Sequence, residues 1–113
     1  MMDVDHLMLM IVLMTGWHFI ADVPLQPAFL ASAKRVGGSD SFPWAFATFA
    51  HASMHGFGVA AITQRWELGA AEIVTHFAID QGKCRGLYGA KEDQAQHLAW
   101  KIVWALLVSK GVI

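Results

Sequence analysis

The sequence carries little charge. Only 15% of its 113 residues are Asp, Glu, Lys or Arg, against about a quarter in typical globular domains. Hydrophobic residues make up 56% of the chain, and the mean hydropathy is +0.43. A single domain of this length cannot bury so much apolar surface in an ordinary soluble core. The composition therefore favours a protein whose outer surface contacts lipid.

Basic clusters and cysteines are also scarce. The formal net charge is −1 and the longest basic run is the pair Lys34-Arg35, so we expect no nucleic-acid partner, which would require a basic face. Cys84 is the only cysteine, which excludes a disulfide or a zinc ribbon within one chain. Residues 1–6 contain no Lys or Arg, unlike the start of a secretory signal. We expect the apolar stretch Leu7 to Phe19 to be retained.

Four apolar segments divide the chain, which we interpret as one helical domain spanning residues 1–113. Pro24 and Pro27 end the first segment, and Pro43 suits the first turn of the second. The predicted helices cover residues of about 4–21, 42–63, 66–81 and 91–112. The first, second and fourth approach the roughly 20 residues of a membrane span, and the second contains no Asp, Glu, Lys or Arg. The sequence predicts an all-α four-helix bundle embedded in a membrane, with a soluble four-helix domain as the alternative.

The basic residues predict how such a bundle is oriented. If all four segments cross the bilayer, the loops after the first and third lie on one side. These loops and their flanks hold five of the cations: Lys34, Arg35, Lys83, Arg85 and Lys91. Because cytoplasmic loops carry an excess of Lys and Arg, we expect this end to face the cytoplasm in the inner membrane and both chain termini to lie outside.

Five of the six histidines have a His, Asp or Glu four residues away. Residues four apart share one face of a helix, so their side chains can hold one ion together. Every predicted helix supplies such a pair. The pairs are His18 and Asp22, His51 and His55, Glu72 and His76, His76 and Asp80, and Asp93 and His97.

The depth of these pairs along antiparallel helices indicates which can meet. The pairs that end the first and third segments and open the fourth all lie near the basic loops. His51 is about 13 Å into the second helix and His55 is one turn deeper, so His55 and Glu72 are predicted to support ligands or to belong to a deeper site. Mixed imidazole and carboxylate ligands suit Zn, Mn, Fe or Ni. The predicted ligands are His18, Asp22, His51, His76, Asp80 and His97.

Neighbouring residues suggest what such a site would do. Asp93 or Glu72 is a candidate general base or ligand-orienting group, and Lys83 and Arg85 are candidates for binding an anionic substrate. Lys101 is expected to form a structural ion pair. We predict a membrane-bound, divalent-metal-dependent hydrolase, with a phosphoester as a candidate substrate. The alternatives are a non-enzymatic membrane protein that handles metal ions or protons or binds a partner, and a soluble helical module whose pairs are packed hydrogen-bond networks.

Four motifs occur in order along the chain: His18-x-x-x-Asp22-x-x-Leu25-Gln26, His51-x-x-x-His55, His76-x-x-x-Asp80-x-x-Lys83 and Asp93-Gln94-x-x-His97. Together they resemble the DUF3307 family of small bacterial and phage integral membrane proteins, over residues 13–104. The resemblance implies a multi-helix membrane protein. A looser similarity links it to membrane-bound metal-dependent hydrolases. Through these motifs, Gln26 and Gln94 join His55 as residues expected to support the ligands.

Overall fold

The computed structural model describes residues 3–113, which form five α-helices and no strand. The all-α prediction is therefore confirmed. The four long helices correspond to the four apolar segments, while the short second helix was not predicted because it lies inside a proline-flanked connection. The helices are α1 (Val4–Asp22), α2 (Ala28–Ala33), α3 (Trp44–Thr63), α4 (Trp66–Cys84) and α5 (Ala90–Ser109).

Local chemistry sets most of the helix ends. The Asp3 side chain accepts a hydrogen bond from the His6 backbone N–H and caps α1. Pro27 and Pro43 precede α2 and α3 with φ near −60°, the value that a proline ring imposes. The end of α5 falls at Ser109 rather than residue 112, because Gly111 has a φ of +70° that continues no helix. α4 continues to Cys84, three residues beyond its predicted end.

α3 and α4 form the most extensive helix pair. Gln64, with a φ of 58°, makes the tight turn between them. Their backbones approach closely at two glycines, since a Cβ added to Gly56 would lie 2.7 Å from the carbonyl oxygen of Gly69. α1 contacts α3 and α5, and α5 also contacts α4. The four long helices thereby enclose one interior.

Polar groups fill much of that interior, and apolar groups cover much of the outside. A small apolar core lies toward the beginning of α1, around Met10, Met14 and Trp104. Toward the end of α1 the buried residues are mostly ionisable. Large hydrophobic side chains are instead exposed on all four long helices, among them Leu13, Ile20, Phe46, Phe49, Phe57, Val74 and Ile102.

Among the described helices, α1 alone is long and apolar enough to cross a membrane by length and composition. Its mean hydropathy is 1.5 over 18 residues, and it lies near the N-terminus. A signal sequence or the core helix of a soluble protein has the same character. α3, which we expected to be the strongest span because it lacks charge, does not meet this measure; His51 and His55 lower its hydropathy. α5 does not meet it either.

Candidate metal centre

Eight buried or nearly buried side chains from four helices meet at one end of the interior. They come from the end of α1, the middle of α3, the second half of α4 and the beginning of α5. This is the level that antiparallel helices predict for the i,i+4 pairs, and the structure places them together there. The members of this polar cluster are His18, Asp22, His51, His55, His76, Asp80, Asp93 and His97.

Asp22 is the centre of the first half of the polar cluster. Its Oδ1 lies 3.0 Å from His51 Nε2 and 2.8 Å from His55 Nε2. Its Oδ2 lies 3.3 Å from His18 Nε2. His55 therefore contacts Asp22 as closely as His51 does and does not lie behind it as predicted. Depth along the helix misled the prediction, because both imidazoles of this pair reach one carboxylate oxygen.

Asp80 organises the second half. Its Oδ1 lies 2.9 Å from His97 Nε2, and its Oδ2 accepts a hydrogen bond of 2.9 Å from Lys34 Nζ. The same Oδ2 is 3.5 Å from His76 Nε2 and 3.8 Å from His51 Nε2. Lys34 is buried, although it belongs to the connection between α2 and α3. This lysine was not predicted at the site.

His76 lies between the two halves. Its ring stacks on His55 and on His97, with centroid distances of 3.7 and 4.0 Å. The side chain is fully buried, and within the described part of the chain neither ring nitrogen forms a hydrogen bond. A buried polar atom without a partner costs about 1–3 kcal/mol. Each nitrogen faces a carboxylate oxygen at 3.5 Å, Glu72 Oε1 at Nδ1 and Asp80 Oδ2 at Nε2, so a metal ion between Nε2 and Asp80 would satisfy the nitrogen that Glu72 leaves unbonded.

Two sets of side chains have the spacing needed to hold a metal ion. Within each set, one ligand atom per residue lies within 4.8 Å of the others. A tetrahedral ion with bonds of about 2.1 Å separates its ligand atoms by roughly 3.4 Å, so the residues fit a divalent ion. The first set is Asp22, His51, His55 and His76, and the second is His76, Asp80 and His97. His18, predicted as a ligand, lies in neither set.

Two glutamines brace the polar cluster. Gln94 Nε2 donates to Asp22 Oδ2 and to Asp93 Oδ2, both at 3.1 Å, while its Oε1 lies 2.7 Å from His18 Nε2. Gln26 Nε2 donates to the Asp22 carbonyl oxygen at 3.0 Å. His18 is thus tied to Gln94 and Asp22 and orients the carboxylate that the first set requires.

Glu72 lies deeper, on the other side of His76. It forms a fully buried ion pair with Lys101 and accepts a hydrogen bond of 2.8 Å from Trp104 Nε1. Its Oε1 is also 3.5 Å from His76 Nδ1. The structural ion pair predicted for Lys101 is confirmed. Because both Glu72 oxygens are engaged and lie away from the surface cleft, Glu72 is placed to orient His76 rather than to exchange protons with a substrate.

A cleft of about 120 Å³ joins the polar cluster to the surface. The carboxylates of Asp22, Asp80 and Asp93 line it together with three cations, Lys34, Arg35 and Lys83. Arg85, the other predicted substrate-binding residue, is not among its lining residues; its guanidinium lies 4.8 Å over the Trp44 ring and its Nε donates to Gln81. Lys34 and Arg35, in the connection after α2, line the cleft where Arg85 was expected.

Known proteins offer no guide to this site. Comparisons with protein-family models, curated proteins and solved structures find no match. Membership of the DUF3307 family stays a prediction.

The connection between α4 and α5 positions Asp93 at the cleft. Tyr88 donates to the Ile79 carbonyl oxygen and packs so closely on Gly82 that a Cβ there would overlap the phenol. Burial, with the negative charge of Asp93 second, raises the pKa of Tyr88, so the phenol remains a hydrogen-bond donor. Asp93 Oδ1 is buried without a hydrogen-bond partner among the described residues, 3.4 Å from His97 Nε2. Asp93 as a residue lines the cleft, so its carboxylate is the candidate base nearest to a substrate held there.

Proposed function

We propose that the protein is a membrane-embedded four-helix bundle that binds a divalent metal ion and uses it to hydrolyse an ester of an anionic substrate. The observation that carries the proposal is the environment of the His76 imidazole. It is fully buried, both of its ring nitrogens lack hydrogen bonds, and it belongs to both sets of side chains with metal-ligand spacing.

The distribution of polarity supports the membrane part of the proposal. The four long helices turn large hydrophobic side chains outward and ionisable side chains inward, the reverse of a soluble domain. Exposed apolar surface of this extent requires a partner or a bilayer, and ionisable residues within membrane helices face the interior of the bundle and mark functional sites. We place the cleft on the cytoplasmic side, as the basic loops predict.

The charge of the polar cluster supports one divalent cation. Glu72 and Lys101 neutralise each other. Three carboxylates, Asp22, Asp80 and Asp93, then face the single ammonium of Lys34, which leaves two negative charges when the histidines are neutral. Buried charge without compensation is strongly unfavourable. One divalent ion balances these charges, and imidazole with carboxylate ligands suits Zn, Mn, Fe or Ni.

The cleft supports hydrolysis. A bound ion would supply an activated water near neutral pH. Asp93, which lines the cleft, is then the better placed of the two predicted bases, and Glu72 positions His76 from behind. Lys83 at the cleft binds the anionic part of the substrate. The amide of Gln94 holds both Asp22 and Asp93 at 3.1 Å, so it keeps base and ligand carboxylate in a fixed relation.

Elemental analysis of the purified protein tests the metal. We expect about one equivalent of a divalent transition metal in the wild type and its loss in His76→Ala. His6→Ala is the matched control, since His6 is exposed and far from the cluster. Helix content by circular dichroism shows whether each variant folds. A wild type without stoichiometric metal, or a His76→Ala variant that keeps it, would overturn the proposal.

A second candidate function rests on the stacked imidazoles of His55, His76 and His97. This series links Asp22 to Asp80 through the interior and could pass an ion or proton without any hydrolysis. Turnover separates the two functions: a metal-loaded protein that cleaves no member of a phosphoester panel supports metal handling. Extraction into the aqueous phase without detergent would instead support a soluble helical module.

A further inference from the structure

Two cations at the cleft have no carboxylate partner. Lys34 is bonded to Asp80 at 2.9 Å, but within residues 3–113 no Asp or Glu oxygen lies within 4 Å of the Arg35 guanidinium or the Lys83 ammonium. Both line the cleft that leads to the polar cluster. Elsewhere at this end, Arg85 is occupied by Trp44 and Gln81. Arg35 and Lys83 are therefore available to an anion entering the cleft.

The charges at the cleft favour a dianion. With one divalent ion bound, as proposed above, and the histidines neutral, the polar cluster and Lys34 carry no net charge together. Arg35 and Lys83 then leave two positive charges at the cleft. A phosphomonoester carries nearly two negative charges at neutral pH, because its second ionisation falls near pH 6, whereas a phosphodiester carries one. Guanidinium and ammonium groups both bind phosphate oxygens.

Exposed apolar residues adjoin the cleft-lining residues in sequence. Leu25 and Val36, each next in sequence to a residue that lines the cleft, are 42% and 63% exposed. Phe29 of α2 is 56% exposed and lies beside Phe42, with the two rings tilted by 53° and their centroids 6.0 Å apart. Apolar residues beside basic ones are typical of a membrane–water interface. A phosphate in this cleft could thus be borne by a lipid or by a water-soluble compound.

We infer that the cleft between α2, α4 and α5 is a binding site for a phosphomonoester group, held by Arg35 and Lys83 above the metal centre. The inference rests on the proposed function and names the substrate class of that site. The volume of about 120 Å³ admits a phosphate group and little of what it is attached to, so the rest of the substrate remains outside, at the apolar flank.

The only cysteine of the chain, Cys84, lines the same cleft and reports on its occupancy. The experiment measures the rate of Cys84 alkylation in the detergent-solubilised, Mn²⁺-loaded full chain at about pH 8, where phosphate is a dianion. Inorganic phosphate is expected to slow the reaction at least several-fold. Dimethyl phosphate, a monoanionic diester, is expected to leave it unchanged at the same concentration. Equal protection by the two probes would overturn the inference.

The variant Arg35→Gln/Lys83→Gln tests the residues. Half-protection should require roughly ten-fold or more phosphate, because two charge-assisted contacts are lost. Arg65→Gln, at the opposite end of α4, is the matched control and should behave as the wild type. An unchanged half-protection concentration in the double variant, or an equal rise in Arg65→Gln, would overturn the inference. Circular dichroism and metal content confirm that each variant is folded and loaded.

Vesicles separate the two sources of phosphate. Phosphatidic acid presents a monoester and phosphatidylglycerol a diester, so protection by phosphatidic acid alone assigns the site to a lipid headgroup. Protection by inorganic phosphate without protection by phosphatidic acid assigns it to a soluble monoester. If no phosphate probe protects Cys84 while the metal is bound stoichiometrically, the inference fails and the metal site stands. If the wild type binds no metal, the proposed function itself fails.

Discussion

The buried pair of Glu72 and Lys101 gives the sharpest test of how the interior is held. Each side chain is 1% exposed, so Lys101→Met leaves a carboxylate buried with only the Trp104 hydrogen bond and an imidazole nitrogen 3.5 Å away. Breaking one partner of a buried pair costs about 3–5 kcal/mol. Total stabilities are only about 5–15 kcal/mol. We therefore expect a large fall in the free energy of unfolding, measured by denaturant titration in detergent.

The double variant Glu72→Gln/Lys101→Met makes this prediction refutable. Gln keeps an acceptor for Trp104 and removes the unpaired charge, so the double variant should be more stable than Lys101→Met alone. Lys110→Met is the control, because Lys110 is exposed and a surface charge contributes about 0–1 kcal/mol. If Lys101→Met costs no more than Lys110→Met, or if the two single effects simply add in the double variant, the pair does not hold the interior as we argue.

Two further outcomes are expected. Gly69→Ala places a Cβ 2.7 Å from that of Ala60, and this overpacking should lower the free energy of unfolding by roughly 1–3 kcal/mol in the same titration. Gly16→Ala is the control, because a Cβ there meets no atom within 4 Å, and it should not destabilise the protein. Equal losses in the two variants would contradict the close approach of α3 and α4. Chelation should lower the thermal midpoint of the wild type, since an ion at 100 times its dissociation constant stabilises a protein by about 2.7 kcal/mol. The thermal midpoint of His76→Ala should not change on chelation. An equal fall in both proteins would place the ion elsewhere.

Periodicity and composition were enough to predict the long helices and the level at which their polar residues meet. The i,i+4 spacing puts His51 and His55 on one face, and antiparallel connections bring the ends of α1 and α4 to the start of α5. Both inferences depend only on the spacing of residues along the chain, so they can be made from a single sequence. The exact role of each histidine depends on side-chain reach. His55 contacts Asp22 at 2.8 Å and His18 turns to Gln94, which residue spacing along a helix does not determine.

The cleft residues that were not predicted, Lys34 and Arg35, lie in a connection, where no helical periodicity applies. Lys34 is in the connection after α2, and its ammonium reaches Asp80, 46 positions away in the chain. A second contact fixes the same loop, as Gln81 Nε2 donates to the Lys34 carbonyl oxygen at 2.8 Å. The position of Lys34-Arg35 among the basic loops, at the end where the ligands gather, was a usable signal. Arg85 lies in a basic loop at the same end but packs on Trp44. The positions of the basic residues therefore indicated which loops lie near the site, but not which of their side chains reach it.

Metal binding and folding of this chain should be coupled through the same charges. Asp22, Asp80 and Asp93 are brought together only when the helices assemble, and Lys34 compensates one of them. The other two negative charges must be balanced by a divalent cation or by protonated imidazoles. Since the helices turn apolar surface outward, little hydrophobic burial holds this end of the bundle together. A cation bound there would cross-link α1, α3, α4 and α5, so we expect a ligand substitution to weaken helix association as well as chemistry.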